Sequence, residues 1–223
     1  MLLVCGVAAS ALAQAPSRAP SSSSSSAKHR SARRIVGDID AGTVAGGMYR
    51  NRSLGLTVKI PVGWVLRTEE MNSKDDAEPA SEPQEESSTQ ATPRDTEAGT
   101  RVLLAAFSRP PDARGEDVNA SIVIAAERVS NYPGLQEAAQ YFGPITEVAK
   151  AQGFVVDEDP YEMQVGTKAL VRGDFHKDVG TRVMRQSTLA LLAQGYAVSI
   201  TVIGGTMDEV EELIDGVAFA ARK

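Results

Sequence analysis

A chain of 223 residues, 42% of them hydrophobic, is long enough for one globular domain or two small ones. The formal net charge of −6 leaves no basic surface suited to nucleic acid, and one cysteine with two histidines rules out a disulfide scaffold or a cysteine-rich metal site. The apolar residues are unevenly spread, so the elements are taken in chain order.

Residues 1–13 carry no charge and end in Ala11-Leu12-Ala13, an A-x-A cleavage site. The run matches a signal-peptide core and falls short of the roughly 20 apolar residues of a membrane span. Cleavage after Ala13 is favoured over lipidation of Cys5, because Val4 stands where a small residue is expected. The basic n-region is missing, so the signal is either atypical or preceded by a start codon upstream of Met1, the second being favoured. Removal of this segment takes away Cys5, which leaves no thiol nucleophile and no thiolate ligand. The expected location is therefore periplasmic or secreted.

Residues 14–47 read as a disordered linker, with six serines (Ser21 to Ser26) followed by Lys28, His29, Arg30, Arg33 and Arg34. With Arg18 it holds five positive charges, suited to an anionic surface or to a solvated spacer. A second polar stretch, 69–99, holds ten acidic residues against two basic ones and three prolines. It reads as a disordered loop, since it cannot bury enough apolar surface to offset its ordering entropy. Its carboxylates are too irregularly spaced for a calcium loop. Subtracting the basic stretch 15–34 and the acidic stretch 69–97 leaves the remainder at about −3, close to balance.

Within 48–223, Leu54, Leu56, Val58 and Ile60 alternate as a half-buried strand that Pro61 stops. Trp64, the sole tryptophan, is expected to fold back over the sheet. Strands are predicted over 101–108, 120–129, 154–157, 161–165, 167–176, 181–193 and 196–203, the last two joined at Gln194-Gly195. Leu135, Ala138, Ala139, Phe142, Ile145, Val148 and Ala149 fall at helical spacing, with Gly143-Pro144 kinking or splitting that helix. Thr206 to Glu209 is a capping box opening a last helix that presents Met207, Val210, Leu213, Ile214 and Val217. Short hairpins require antiparallel pairing. The fold class is thus α+β, an antiparallel sheet covered by two amphipathic helices.

The pair Tyr49-x-Asn51-x-x-Leu54-Gly55-Leu56 and Ile60-Pro61-x-Gly63-Trp64 resembles the start of PsbP-like domains, the Mog1p/PsbP-like α/β/α sandwich. The order of elements resembles it too, over roughly Met48 to Arg222. The resemblance implies an exported, generally non-enzymatic binding, assembly or accessory role. The acidic insertion and the serine-rich leader depart from that pattern, as does the lack of a histidine pair, and no photosystem role is implied.

No catalytic, cofactor-binding or metal site is assigned. Asp174, His176 and Asp178 would share a strand face and could hold a divalent cation weakly, or simply form a polar strand end. Gly204-Gly205-Thr206 could bind an anion at a helix N-terminus, or only turn the chain. Asn51-Arg52-Ser53 and Asn119-Ala120-Ser121 match glycosylation sequons. No Gly-x-Ser-x-Gly, His-Glu-x-x-His or phosphate-cradling motif occurs. The leading expectation is a non-catalytic envelope module that binds a protein or envelope component at a sheet edge or in a groove near Trp64. Oligomeric state stays open. The alternatives are a hydrolase using the carboxylates of Asp157, Glu158, Asp159 and Glu162, and a structural or stress-related envelope protein.

Overall fold

The computed structural model describes residues 38–75, 100–113, 115 and 117–220. The expected signal peptide with Cys5, the serine-rich stretch with His29, and residues 76–99 of the acidic segment lie outside them.

Two antiparallel sheets form the body. The smaller contains β1 (Thr43–Ala45), β2 (Met48–Asn51), β3 (Leu56–Lys59) and β12 (Val217–Phe219), in the order β1-β2-β3-β12. Its first strand lies inside the segment read as linker. Ile39, just ahead, is 1% exposed and belongs to the core. The folded part thus begins before Met48, and a polar network explains why. Asn51 Nδ2 donates to the Asp40 carbonyl at 2.6 Å, and Tyr49 Oη donates to the Ala41 carbonyl at 3.1 Å. These contacts tie a stretch without its own periodicity onto β2.

The larger sheet holds β4 (Val65–Leu66), β5 (Arg101–Phe107), β6 (Ser121–Arg128), β7 (Val155–Val156), β8 (Tyr161–Val165), β9 (Lys168–Val179), β10 (Arg182–Ala193) and β11 (Tyr196–Gly204). The order is β4-β5-β6-β11-β10-β9-β7, and β8 also pairs with β9. The long β10–β11 hairpin turns where the sequence placed it, with Gln194 and Gly195 at φ +53° and +82°. Positive φ at both central residues twists the turn to match the strands.

Strand alternation sends Ile122, Ile124, Leu170, Leu189, Val198 and Ile200 to one face of the large sheet. There they pack with Leu56, Val58 and Phe219 of the small sheet. Each fully buried aliphatic side chain contributes roughly 1.5–3 kcal/mol, so this double layer holds most of the stability. The opposite face carries Val171, Phe175, Ala190 and Ala197 under Tyr141, Phe142, Ala149 and Phe154.

Three helices complete the α+β fold. The first, α1 (Thr68–Asp75), occupies the start of the segment read as a disordered loop. It has no apolar face to announce it; side-chain hydrogen bonds dock it instead. Asn72 donates to the Val102 carbonyl and accepts from the Val102 N–H, both at 2.9 Å, and Thr68 Oγ1 accepts from Ala105 N–H. The side chains of α1 thereby satisfy the outer edge of β5, which is not a free sheet edge.

The mid-chain helix is split as Gly143-Pro144 suggested, but earlier. A 3-10 turn (Ala138–Tyr141) leads into α2 (Phe142–Ala151), and Pro144 sits within the first turn of α2, where its missing N–H leaves no gap. The last helix, α3 (Met207–Asp215), begins at Thr206, whose Oγ1 accepts from Glu209 N–H at 3.1 Å. Val217, expected on its apolar face, is not helical. Gly216 ends the helix and its carbonyl accepts from Lys59 N–H at 2.9 Å, which starts the pairing of β12 with β3. The apolar stripe of α3 (Val210, Leu213, Ile214) packs on the same core as the small sheet. No described helix is long and apolar enough to cross a membrane.

Candidate functional site

Among the described residues, three concave regions combine apolar walls with charge. The first is the groove beside Trp64, about 500 Å³. The turn Pro61-Val62-Gly63 interrupts the strand direction after β3 and leaves Val62 fully exposed at its tip. Trp64 folds back and packs on the core while still lining the groove, as its sequence context predicted. The opposite wall is α3. Glu209, Glu212, Leu213 and Asp215 line it, and Lys59 is the only basic lining residue. Every charged residue of α3 is acidic. Two of these carboxylates are engaged: Glu209 accepts from Gly205 N–H at 2.7 Å, and Glu211 holds Arg172. Glu212 and Asp215 stand exposed at the rim.

The second is a cleft of about 310 Å³ on the outer face of the large sheet. Its floor is Val123, Gln186, Thr188, Ser199, Thr201 and Ile203; α2 supplies Pro144, Ile145, Val148 and Ala149, and α1 supplies Met71. At the β6 end stands Glu127. Tyr141 Oη donates to its Oε1 at 2.9 Å and Tyr132 Oη donates to its Oε2. The two rings meet edge-on, 5.3 Å between centroids at 75°. Burial first, then the Glu127 carboxylate, pushes the Tyr132 hydroxyl up to about 12, and the same causes raise Tyr141. Both hydroxyls are therefore neutral donors at physiological pH. A third cleft, about 620 Å³, lies where α1 faces β1 and β5, with Arg67, Asn72 and Arg101 among its lining.

The residues singled out in the sequence end up elsewhere. Asp174 and His176 do share a face, but they are not brought together as ligands. Asp174 is buried with Arg172: Arg172 Nε donates to both carboxylate oxygens at 2.9 and 3.0 Å. Ser187 and Tyr161 also donate to Asp174, and Arg172 reaches on to Glu211 at 2.5 and 3.1 Å. Burial works against the guanidinium charge. The Glu211 and Asp174 contacts outweigh it, and the pKa is raised. His176 pairs instead with Asp157 through Nδ1. Among the described residues no cluster of three His, Cys, Asp or Glu groups could hold a metal.

Asp157, Glu158 and Asp159 lie on an exposed connection and Glu162 on β8, and none lines any of these three clefts. The anion position before α3 is filled by the chain's own Glu209. Both sequon asparagines are engaged. Asn51, 1% exposed, binds Asp40, Tyr49, Ser53 and Leu54. Asn119 is clamped to Arg109 through both its amide oxygen and nitrogen. What sequence reasoning missed is the Glu127–Tyr132–Tyr141 group. Its one trace was Val148, apolar at helical spacing yet 58% exposed at the cleft mouth.

No protein-family profile matches the chain, and no curated protein matches it. Among solved structures it is similar to a Pseudomonas aeruginosa protein of unknown function, PA94 (15% identity, TM-score 0.37, covering 60% of this chain and 90% of that one). It is also similar to LpqN, involved in cell envelope biogenesis of Mycobacterium tuberculosis (12%, TM-score 0.34, 74% and 83%). A Bacteroides thetaiotaomicron protein gives 13% identity and TM-score 0.34, covering 75% of this chain but 45% of the other. The described residues form an α+β fold of two antiparallel sheets and three α-helices.

Proposed function

We propose that this chain is an exported, non-catalytic binding module of the cell envelope, and that it docks a basic segment of a partner protein in the groove beside Trp64. One observation carries the reading: an exposed apolar tip and a half-buried tryptophan face a helix whose charged residues are all acidic. An aromatic anchor beside a like-charged rim favours a partner bearing an apolar side chain flanked by Lys or Arg. The Ile60-Pro61-x-Gly63-Trp64 signature supports a PsbP-like accessory role, and the leader at 1–13 supports export. Asp157 is engaged by His176, and Asp157, Glu158, Asp159 and Glu162 line none of the three clefts, which favours binding over carboxylate-based hydrolysis.

Calorimetric titration with a Leu/Arg peptide, against a Leu/Glu peptide of equal length, tests this. The basic peptide binds, binding weakens with added salt, and exchanging Glu212 and Asp215 for lysine abolishes it. Equal binding of the two peptides, or none by either, overturns the reading.

A further inference from the structure

Glu127 is a partly buried carboxylate whose partners are both neutral. Each of its oxygens accepts one tyrosine hydroxyl, and no basic side chain among the described residues lies within ion-pair distance. A carboxylate has about four acceptor positions, so two hydroxyls leave room for further donors. The nearest strand neighbour with positive charge, Arg128, points to the other face and lies over the Tyr196 ring at 5.4 Å. Two aromatic rings, packed edge to face at 75°, wall the carboxylate on the side of its two hydroxyl partners.

The rest of the cleft is apolar on the helix side. Ile145 and Val148 of α2 and Met71 of α1 face Val123 and Ile203 of the sheet, leading away from Glu127. On the floor, Thr188 and Thr201 partner each other at 3.1 Å. At about 310 Å³ the cleft falls at the small end of ligand sites, which restricts it to a short chain.

We infer that this cleft binds a small amphiphilic amine, its ammonium on Glu127 between Tyr132 and Tyr141 and its apolar chain between α2 and the sheet. The site is separate from the Trp64 groove and shares no lining residue with it.

The test is calorimetric titration of the full chain with hexylammonium, with hexanol and hexanoate as neutral and anionic counterparts. Hexylammonium binds saturably with one site; hexanol binds at least roughly tenfold more weakly and hexanoate not at all, since a charge-assisted bond is lost. Glu127→Gln keeps the shape and weakens hexylammonium by roughly tenfold or more. Val148→Lys, at an exposed position that the fold does not depend on, puts a positive charge at the mouth and weakens it as well while leaving the unfolding midpoint unchanged. Hexanol binding as well as hexylammonium, indifference to both substitutions, or no saturable amine binding would overturn the inference.

Discussion

At the scale of single residues, the buried ion network and the tyrosines make separable predictions. Arg172 and Asp174 are 6% and 5% exposed and face each other in the layer between α3 and the sheet. Asp174→Ala takes away the buried partner of Arg172 and leaves it only the half-exposed Glu211, so stability falls by up to about 3 kcal/mol in denaturant titration. The carboxylate of Glu211 is nearly half exposed, and Glu211→Ala lowers it by about 1 kcal/mol or less. Equal effects would contradict this division. Tyr132 is raised to about 12 by burial and Glu127, and Tyr161 is raised to about 12 by burial and the charge of Asp174. The unfolded chain releases these protons near the ordinary 10.0 while the folded chain keeps them. Their contribution is therefore complete below pH 10.0 and lost as pH climbs toward 12. The denaturation midpoint falls across that window, and Tyr132→Phe with Tyr161→Phe flattens the fall; an unchanged slope would remove both groups from the account.

At the scale of elements, two junctions decide how the helices sit. Gly173 on β9 lies directly beneath Phe142, and a methyl group there would occupy the same space as that ring. Gly173→Ala forces α2 away from the sheet and costs about 1–3 kcal/mol, with loss of amide-exchange protection over 142–151. Protection unchanged in α2 would show that the ring simply swings aside. Asn72 is the clamp of α1, and Asn72→Ala leaves the Val102 N–H and carbonyl without their partners. Faster exchange at Val102, with the rest of β5 protected, is the expected result. The same elements show what could be read in advance. The apolar alternation of β6, β10 and β11 and the Thr206 cap are written in local spacing, and those elements stand where expected. α1 carries no apolar stripe and exists through side-chain bonds to a strand about 30 residues later. β12 is three residues long and exists only because Gly216 ends α3 beside Lys59.

At the scale of the whole molecule, a strong core supports two unrelated surfaces. The small sheet and α3 cover one face of the large sheet, and the acidic groove opens where α3 meets the Trp64 turn. α1 and α2 only flank the other face, so the amine-binding cleft remains between them. Part of the first surface was legible: Pro61-x-Gly63-Trp64 marks a turn with an aromatic anchor, and the acid-rich composition of α3 is plain in the sequence. The second was not, because Glu127, Tyr132 and Tyr141 meet only after a strand end, a turn and a helix start fold together. The tryptophan also supplies the direct assay, since the chain has one and it lines the proposed docking groove. The decisive measurement is Trp64 emission during titration with the Leu/Arg peptide. A saturable shift that Val62→Asp and the Glu212→Lys, Asp215→Lys exchange each diminish is the predicted result; peptide binding that leaves Trp64 emission unchanged would contradict it.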